Sequence, residues 1–374
     1  MEELATAQEH TAWVEVRRDA LAHNLAQVRA HIGPDVRLLA VVKADAYGHG
    51  AVEASRTFLD AGADFLGVTR VEDALELRHA GIDAPILVFG AALPNQARVV
   101  VAHRLSQTVC TLESARALSA AARASGATAQ VHVKVDSGMG RIGIRCAELL
   151  EFVRALHALP NLEVQGIYTH FATALERELT FVRKQLSLFL RAVAEVEKAG
   201  LGRPLIHAAN SAAILRLEAS HLDMVRPGTI LYGQYPSAHV PRILDLRPAW
   251  QLKSRVAFVK RVQRGDSIGY GRDFLARREM TVATIPLGYA DGLTLTPVRT
   301  ARSLAELLRT AREFARRGRM GVRVHGQHAP FVGRVAMQMC CIDVSHIPNV
   351  EVGDEVLLRA RFTLTNPRIP RIYC

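Results

Sequence analysis

The run VRLLAVVK, residues 36–43, is apolar apart from one arginine and ends in a lysine. It reads as a strand covered on both faces, as in a parallel sheet. The same unit recurs along the chain. Further candidate strands are 63–69 (ADFLGVT), 85–90 (PILVFG), 106–111 (SQTVCT), 130–136 (QVHVKVD), 163–171 (EVQGIYTHF), 205–211 (LIHAANS) and 224–232 (MVRPGTILY). Helix-like stretches rich in Ala, Leu, Arg and Glu lie between them, such as Val71–Ala80, Leu112–Ser125, Ala147–Leu159 and Leu179–Ala199. Eight such units predict an α/β fold, a (β/α)8 barrel of the TIM type, over 14–240.

Beyond residue 240 the texture changes. VAFVKRV, GDSIGYG, MTVATIPLG, APFVGRVAM, CCIDVS and GDEVLLRARF are short and broken by glycine and proline. They predict a mainly-β domain over 241–374, joined by an N-terminal strand at 11–16. SLAELLRTAREFARRGR (303–319) is helical in period and strongly basic. It is expected to be a helical insertion with a solvated face.

The chain has 374 residues and carries 47 Lys+Arg against 36 Asp+Glu, a net charge of +11. The excess is scattered arginine rather than a basic tail or stripe, so the chain is expected to bind anionic small molecules and no nucleic acid. The first ten residues carry acids and no apolar core segment, so no signal peptide is expected, and no apolar run is long enough to predict a membrane span. Cys110, Cys146, Cys340, Cys341 and Cys374 are odd in number and show no zinc spacing. Free thiols in the cytoplasm, and no metal, are expected.

Side chains that act in such a barrel gather at the carboxyl ends of its strands. Lys43 closes the first candidate strand. Lys134, Asp136 and Arg141 follow the fifth, His170 closes the sixth, Asn210 and Ser211 close the seventh, and Arg226 and Gly228 lie in the eighth. Gly138, Gly140 and Gly143 also spell GxGxxG, with Glu163 twenty residues beyond the last of them. A dinucleotide fingerprint normally opens its fold; this one falls at the fifth strand of eight, after charged residues.

AVVKADAYGHG (40–50) resembles the pyridoxal-phosphate (PLP) lysine signature of alanine racemases. VKVDSGMGRIG (133–143), YTHFATA (168–174), HAANSAA (207–213), MVRPGTILYG (224–233), IGYGRDF (268–274) and IPLGYADG (285–292) resemble that family's further blocks in the same order. The resemblance implies interconversion of L- and D-alanine, supplying D-alanine for peptidoglycan. It implies PLP attached to Lys43, with Tyr47, Ser211, Gly228 and Thr229 at its phosphate and with Asn210 and His170 nearby. Arg226 matches the residue facing the ring nitrogen, where a cation keeps that nitrogen unprotonated. Arg141 matches the residue bonded to the ring hydroxyl, and it contacts substrate together with Met337. Lys134 matches a lysine carried as a carbamate. Lys43 matches the base for one face of the substrate and Tyr270 the base for the other, with Tyr270 supplied by the partner in a homodimer.

Two departures bear on the substrate. The usual acid after the methionine of the VGR block is Gln338 here, and the register of the tail offers Arg359 where the family places a tyrosine. Three alternatives share the cofactor. A racemase of broader range would fit the same residues. A basic amino-acid decarboxylase lacks support from a glycine-triplet phosphate loop, and Cys340 and Cys341 are the only late cysteines in reach of that role. A non-catalytic PLP carrier would have no β domain.

Overall fold

The structure, a computed structural model, describes residues 9–91, 93–295 and 320–374. The basic segment 303–319 lies outside the described residues. The chain divides into two units, Arg18–Ala249 and Met1–Arg17 with Trp250–Cys374.

Arg18–Ala249 is a closed barrel of eight parallel strands. Its strands are Arg37–Val41, Phe65–Val68, Ile86–Val88, Ser106–Val109, Ala129–Asp136, Leu162–Tyr168, Leu205–Asn210 and Met224–Arg226. Each pairs with the next, and Met224–Arg226 pairs back onto Arg37–Val41 to close the ring. Helices Val71–His79, Leu112–Ser125, Leu149–His157 and Thr180–Lys198 follow four of these strands. Leu112–Ser125 shows why its ends fall where they do. Thr111 accepts from the Ser114 N–H at the start, and Gly126 turns left-handed at φ 66° to stop it.

The strands are shorter than the apolar runs suggested, and this moves several polar residues. Lys43 does not close a strand: the first barrel strand ends at Val41. His170 lies two residues beyond the sixth. Gly228 is outside the eighth, which ends at Arg226 before a single turn, Thr229–Tyr232. Residues 241–249 belong to the barrel unit rather than to the β unit. Asn24 explains their attachment, since its amide donates to Arg247 O at 2.8 Å and its oxygen accepts the Arg247 N–H at 2.7 Å.

The barrel core is divided by chemistry. Leu39, Val41, Phe65, Leu87 and Met224 form an apolar cluster with Phe89 and Leu205. Strands four to eight instead carry buried Ser106, Thr108, His132, Lys134, His207 and Arg226. Buried polar groups are costly unless bonded, so this half is held by hydrogen bonds. Tyr168 Oη meets Thr108 Oγ1 at 2.8 Å.

The other unit is built on a nine-stranded sheet. Ala12–Val16 lies between Trp250–Arg255, antiparallel, and Arg371–Tyr373, parallel. Val262, Ile268, Met280, Val282 and Val332 pack together as one of its apolar clusters. All five cysteines are free. Among the described residues no helix is long and apolar enough to cross a membrane.

Gly233 fixes the path of 241–249. It has φ 80°, and a Cβ there would stand 2.1 Å from Arg247 O. Gly233→Ala therefore combines a left-handed penalty of about 1–2 kcal/mol with a backbone clash. We expect the barrel to lose at least that much stability, read as a lower urea midpoint at unchanged slope; an unchanged midpoint would contradict this packing.

Candidate active site

A cavity of about 560 Å³ opens at the carboxyl ends of the barrel strands, within the ~300–1,000 Å³ usual for small-molecule sites. Lys43, Tyr47, Lys134, Arg141, His170, Asn210, Ser211, Arg226, Gly228 and Thr229 all line it. These residues, separated by up to 186 positions in the chain, are thus gathered at one mouth.

The backbone after Lys43 is unusual. Ala44, Asp45, Ala46 and Tyr47 take φ of 53°, 55°, 48° and 56°, a left-handed turn made without glycine. Such residues cost about 1–2 kcal/mol each, and runs of them persist only where the surroundings over-determine them. Tyr232 is a main support. Its ring packs 4.9 Å from that of Tyr47 and 4.5 Å from that of His49, and its hydroxyl donates to Val41 O at 2.9 Å. The turn sets Lys43 Nζ 5.9 Å from the Tyr47 ring centre.

Next to Lys43 is a cradle suited to an anion. The Gly228 N–H donates to Ser211 Oγ at 2.8 Å. A Cβ at Gly228 would stand 2.5 Å from Tyr47 Oη, so glycine keeps the floor open. Asn210 caps the turn beginning at Ser211 by accepting from the Ala212 and Ala213 N–H groups. Burial pushes the Tyr47 phenol up to about 12, which keeps its proton available for donation.

The wall opposite the apolar half is cationic. Arg226 is only 4% exposed. Its guanidinium donates to His207 Nδ1 at 2.7 Å, Thr169 O at 2.8 Å and Ala208 O at 3.0 Å, with His170 Nδ1 at 3.5 Å. These partners are neutral. Burial lowers Arg226 to about 10, which leaves it charged at neutral pH. Burial and then the Arg226, Lys134, Arg141 and Lys43 charges drive His170 down to about 2, so its imidazole is neutral. Burial, followed by Arg226, holds Lys134 at about 7. Lys43 is lowered by burial and then by Arg141. A lysine held below its ordinary value offers a free amine, the nucleophilic form.

The GxGxxG glycines serve another purpose. Asp136 Oδ1 accepts the N–H groups of Gly138, Met139 and Gly140 at 2.9, 2.8 and 3.1 Å. Gly143 then lies so close that a Cβ would be 2.7 Å from Asp136 N. A short strand, Ile144–Arg145, follows instead of a helix opening on a ligand. The glycines wrap the loop that carries Arg141.

Tyr270 and Met337 belong to the β unit, where they are 72% and 59% exposed. Tyr270 stands between Gly269 and Gly271, with φ of 79° and 70°. Arg334 pairs with Asp273 beside this turn. The main chain at Met337 is pinned to the LGYADG loop: the Ala290 N–H donates to Met337 O at 2.9 Å, and a Cβ on Gly288 would stand 2.1 Å from Ala336 O.

Thr69, Phe89, Tyr168, Leu175 and Pro236 also line the cavity, and sequence reasoning did not single them out. Thr69 and Phe89 follow the second and third barrel strands, where the barrel rule alone would have pointed to them. Tyr168 and His207 fall within YTHFATA and HAANSAA, where nothing in the sequence marks them apart from their neighbours.

Residues 16–236 match the family description of the alanine racemase N-terminal domain, and 249–367 that of the alanine racemase C-terminal domain. An alanine racemase of Desulfovibrio desulfuricans is 42% identical over 346 residues, covering 92% of this chain and 88% of the relative. One from Methanococcus maripaludis is 41% identical over 350 residues, covering 93% and 88%. The solved alanine racemase of Clostridium difficile superposes with a TM-score of 0.89 at 32% identity, covering 98% of this chain and 96% of that one. The Bacillus anthracis enzyme, solved with bound L-Ala-P, gives 0.85 at 35% identity, covering 98% and 95%. The chain belongs to the alanine racemase family.

Proposed function

We infer that this chain interconverts L- and D-alanine with PLP, using Lys43 on one face of the substrate and Tyr270 of the partner subunit on the other. The observation that carries the reading is the barrel cavity, which joins a half-buried, depressed lysine amine to an open anion cradle and a guanidinium that pairs with no carboxylate among the described residues. These suit PLP's aldehyde, phosphate and ring nitrogen in turn. Lys43 would hold the cofactor through its amine, Tyr47, Ser211, Gly228 and Thr229 its phosphate, Arg226 its ring nitrogen and Arg141 its ring hydroxyl, with Asn210 and His170 bordering the ring. When bound, PLP supplies an electron sink that makes the α-proton of an amino acid acidic.

The chain's own residues decide where that proton goes. Racemisation needs a base on each side of the α-carbon. Lys43 Nζ moves the proton on the D-alanine face, and Tyr270 Oη moves it on the L-alanine face. Arg226 stays charged and donates, so it holds its neighbour unprotonated and restrains side reactions such as transamination. A head-to-tail dimer would bring the exposed Tyr270 of one chain to the cavity of the other and would exclude water from the reacting centre. Met337 would border the substrate, and Gln338 beside it would widen the range beyond alanine.

Lys134 fits a carbamate. Its neutral amine attacks carbon dioxide through nitrogen, a C–N bond forms, and the nitrogen loses a proton to solvent. The product is an anion able to pair with Arg141, and Arg226 lies within electrostatic reach.

The purified protein should interconvert D- and L-alanine; loss of optical activity in neither direction would contradict the reading. Lys43→Ala should abolish both the visible absorbance of lysine-bound PLP and the interconversion. Tyr270→Phe should keep that absorbance while slowing solvent-deuterium exchange from L-alanine far more than from D-alanine; equal slowing would remove Tyr270 from the one-face role. Arg141→Leu removes a charge that depresses Lys43, so the pH at which the amine captures PLP should move upward; an unmoved profile would leave burial as the whole cause. With ¹³C-bicarbonate, a carbamate NMR resonance should appear in the native chain and be absent in Lys134→Ala.

A further inference from the structure

Beneath the cavity floor a line of hydrogen bonds runs through the polar half of the barrel. Arg226 Nη1 meets His207 Nδ1 at 2.7 Å, His207 Nε2 meets His132 Nδ1 at 2.9 Å, and His132 Nε2 meets Gln165 Oε1 at 3.0 Å. Both imidazoles are fully buried. We propose that Gln165 sets the proton order of this relay and so holds the Arg226 guanidinium in position at the cavity, making Gln165 and His132 positioning residues. The functional part of this inference rests on the assignment of PLP to the cavity.

The order follows from donor chemistry. A guanidinium has hydrogen-bond donors only, so His207 Nδ1 must be bare. A neutral imidazole then carries its proton on Nε2 and donates to His132 Nδ1, which must be bare in turn. His132 therefore carries its proton on Nε2 and needs an acceptor. Gln165 Oε1 is that acceptor, and its amide nitrogen is turned away toward Gln130 Oε1 at 3.2 Å. Ser106 Oγ donates to the same Gln165 oxygen at 2.7 Å, which holds the amide in this orientation. Burial keeps both rings neutral, His132 at about 4 and His207 well below its ordinary value. A protonated ring would turn an N–H against Arg226.

The backbone is shaped to admit the relay. Val131 pairs with Val164, but His132 pairs with Gly166, so Gln165 is the extra residue of a bulge. A bulge re-aims a side chain that strict alternation would send to the other face. Gly166 is equally specific: a Cβ there would stand 2.3 Å from His132 Nδ1. The His132 ring occupies that space, and the His207 ring is stacked on Tyr168 at 4.8 Å and 7°. The two rings therefore have one arrangement in which all four groups are satisfied.

The test is long-range ¹H–¹⁵N NMR on the PLP-loaded, histidine-labelled full chain, with the two rings assigned through His132→Asn and His207→Asn. His132 and His207 should both show a protonated Nε2 and a bare Nδ1 throughout the neutral pH range. A proton on His207 Nδ1, or a cationic ring, in the native chain would overturn the relay. Gln165→Glu places a carboxylate against His132, favours its imidazolium, and should move the His207 proton to Nδ1. The kcat for alanine should then fall about tenfold at unchanged KM. A variant with an unmoved His207 proton and an unchanged kcat would also contradict the proposal. Native tautomers as stated, in a protein that does not racemise alanine, would support the relay and contradict the assigned activity.

Discussion

The site is organised around a buried guanidinium that meets no carboxylate among the described residues. Removing a charge from water costs several kcal/mol even after relaxation, and Arg226 recovers this through an imidazole and two carbonyls. That solution constrains much around it. Burial, with the Arg226 charge added to it, keeps His170 and His207 neutral and holds Lys134 near 7. The polar half of the barrel core holds this cation and the groups bonded to it, while the other half is closed by Leu39, Phe65, Leu87 and Met224. A cavity with this field favours ligands that bring negative charge and a basic ring atom.

A second constraint is local strain. Four left-handed residues after Lys43 store energy that the Tyr232 contacts hold in place. The lysine is thereby presented from a braced turn, which suits the two roles proposed for it, holding a cofactor and meeting an α-carbon.

Much of this was legible in the sequence because barrels place function by a simple rule. Lys43, Asn210 and Arg226 could be placed near strand ends from apolar runs alone, and the eight strands were countable. The exact ends were not, because Lys43, His170 and Gly228 continue apolar runs whose pairing stops earlier. The turn at 44–47 carried no signal, since left-handed backbone is expected at glycine and this stretch is ADAY. The bulge at Gln165 was equally silent: it depends on which residue pairs with His132 across two strands. Residues 241–249 read as the start of the β domain because the tie that holds them to the barrel, Asn24 to Arg247, spans more than two hundred positions. Tyr270 shows the reverse case, since its motif was readable while the role proposed for it requires a second chain.

The central claim is that one cavity becomes a racemising centre when Lys43 of one chain meets Tyr270 of another. Subunit complementation tests it most directly. The Lys43→Ala and Tyr270→Phe proteins, each expected to be inactive alone, are mixed and allowed to exchange subunits. In the mixed dimer one shared site carries both changes and the other is native, so interconversion of alanine should return in proportion to the mixed species. If mass-tagged subunits demonstrate exchange and no activity appears, the shared centre does not exist.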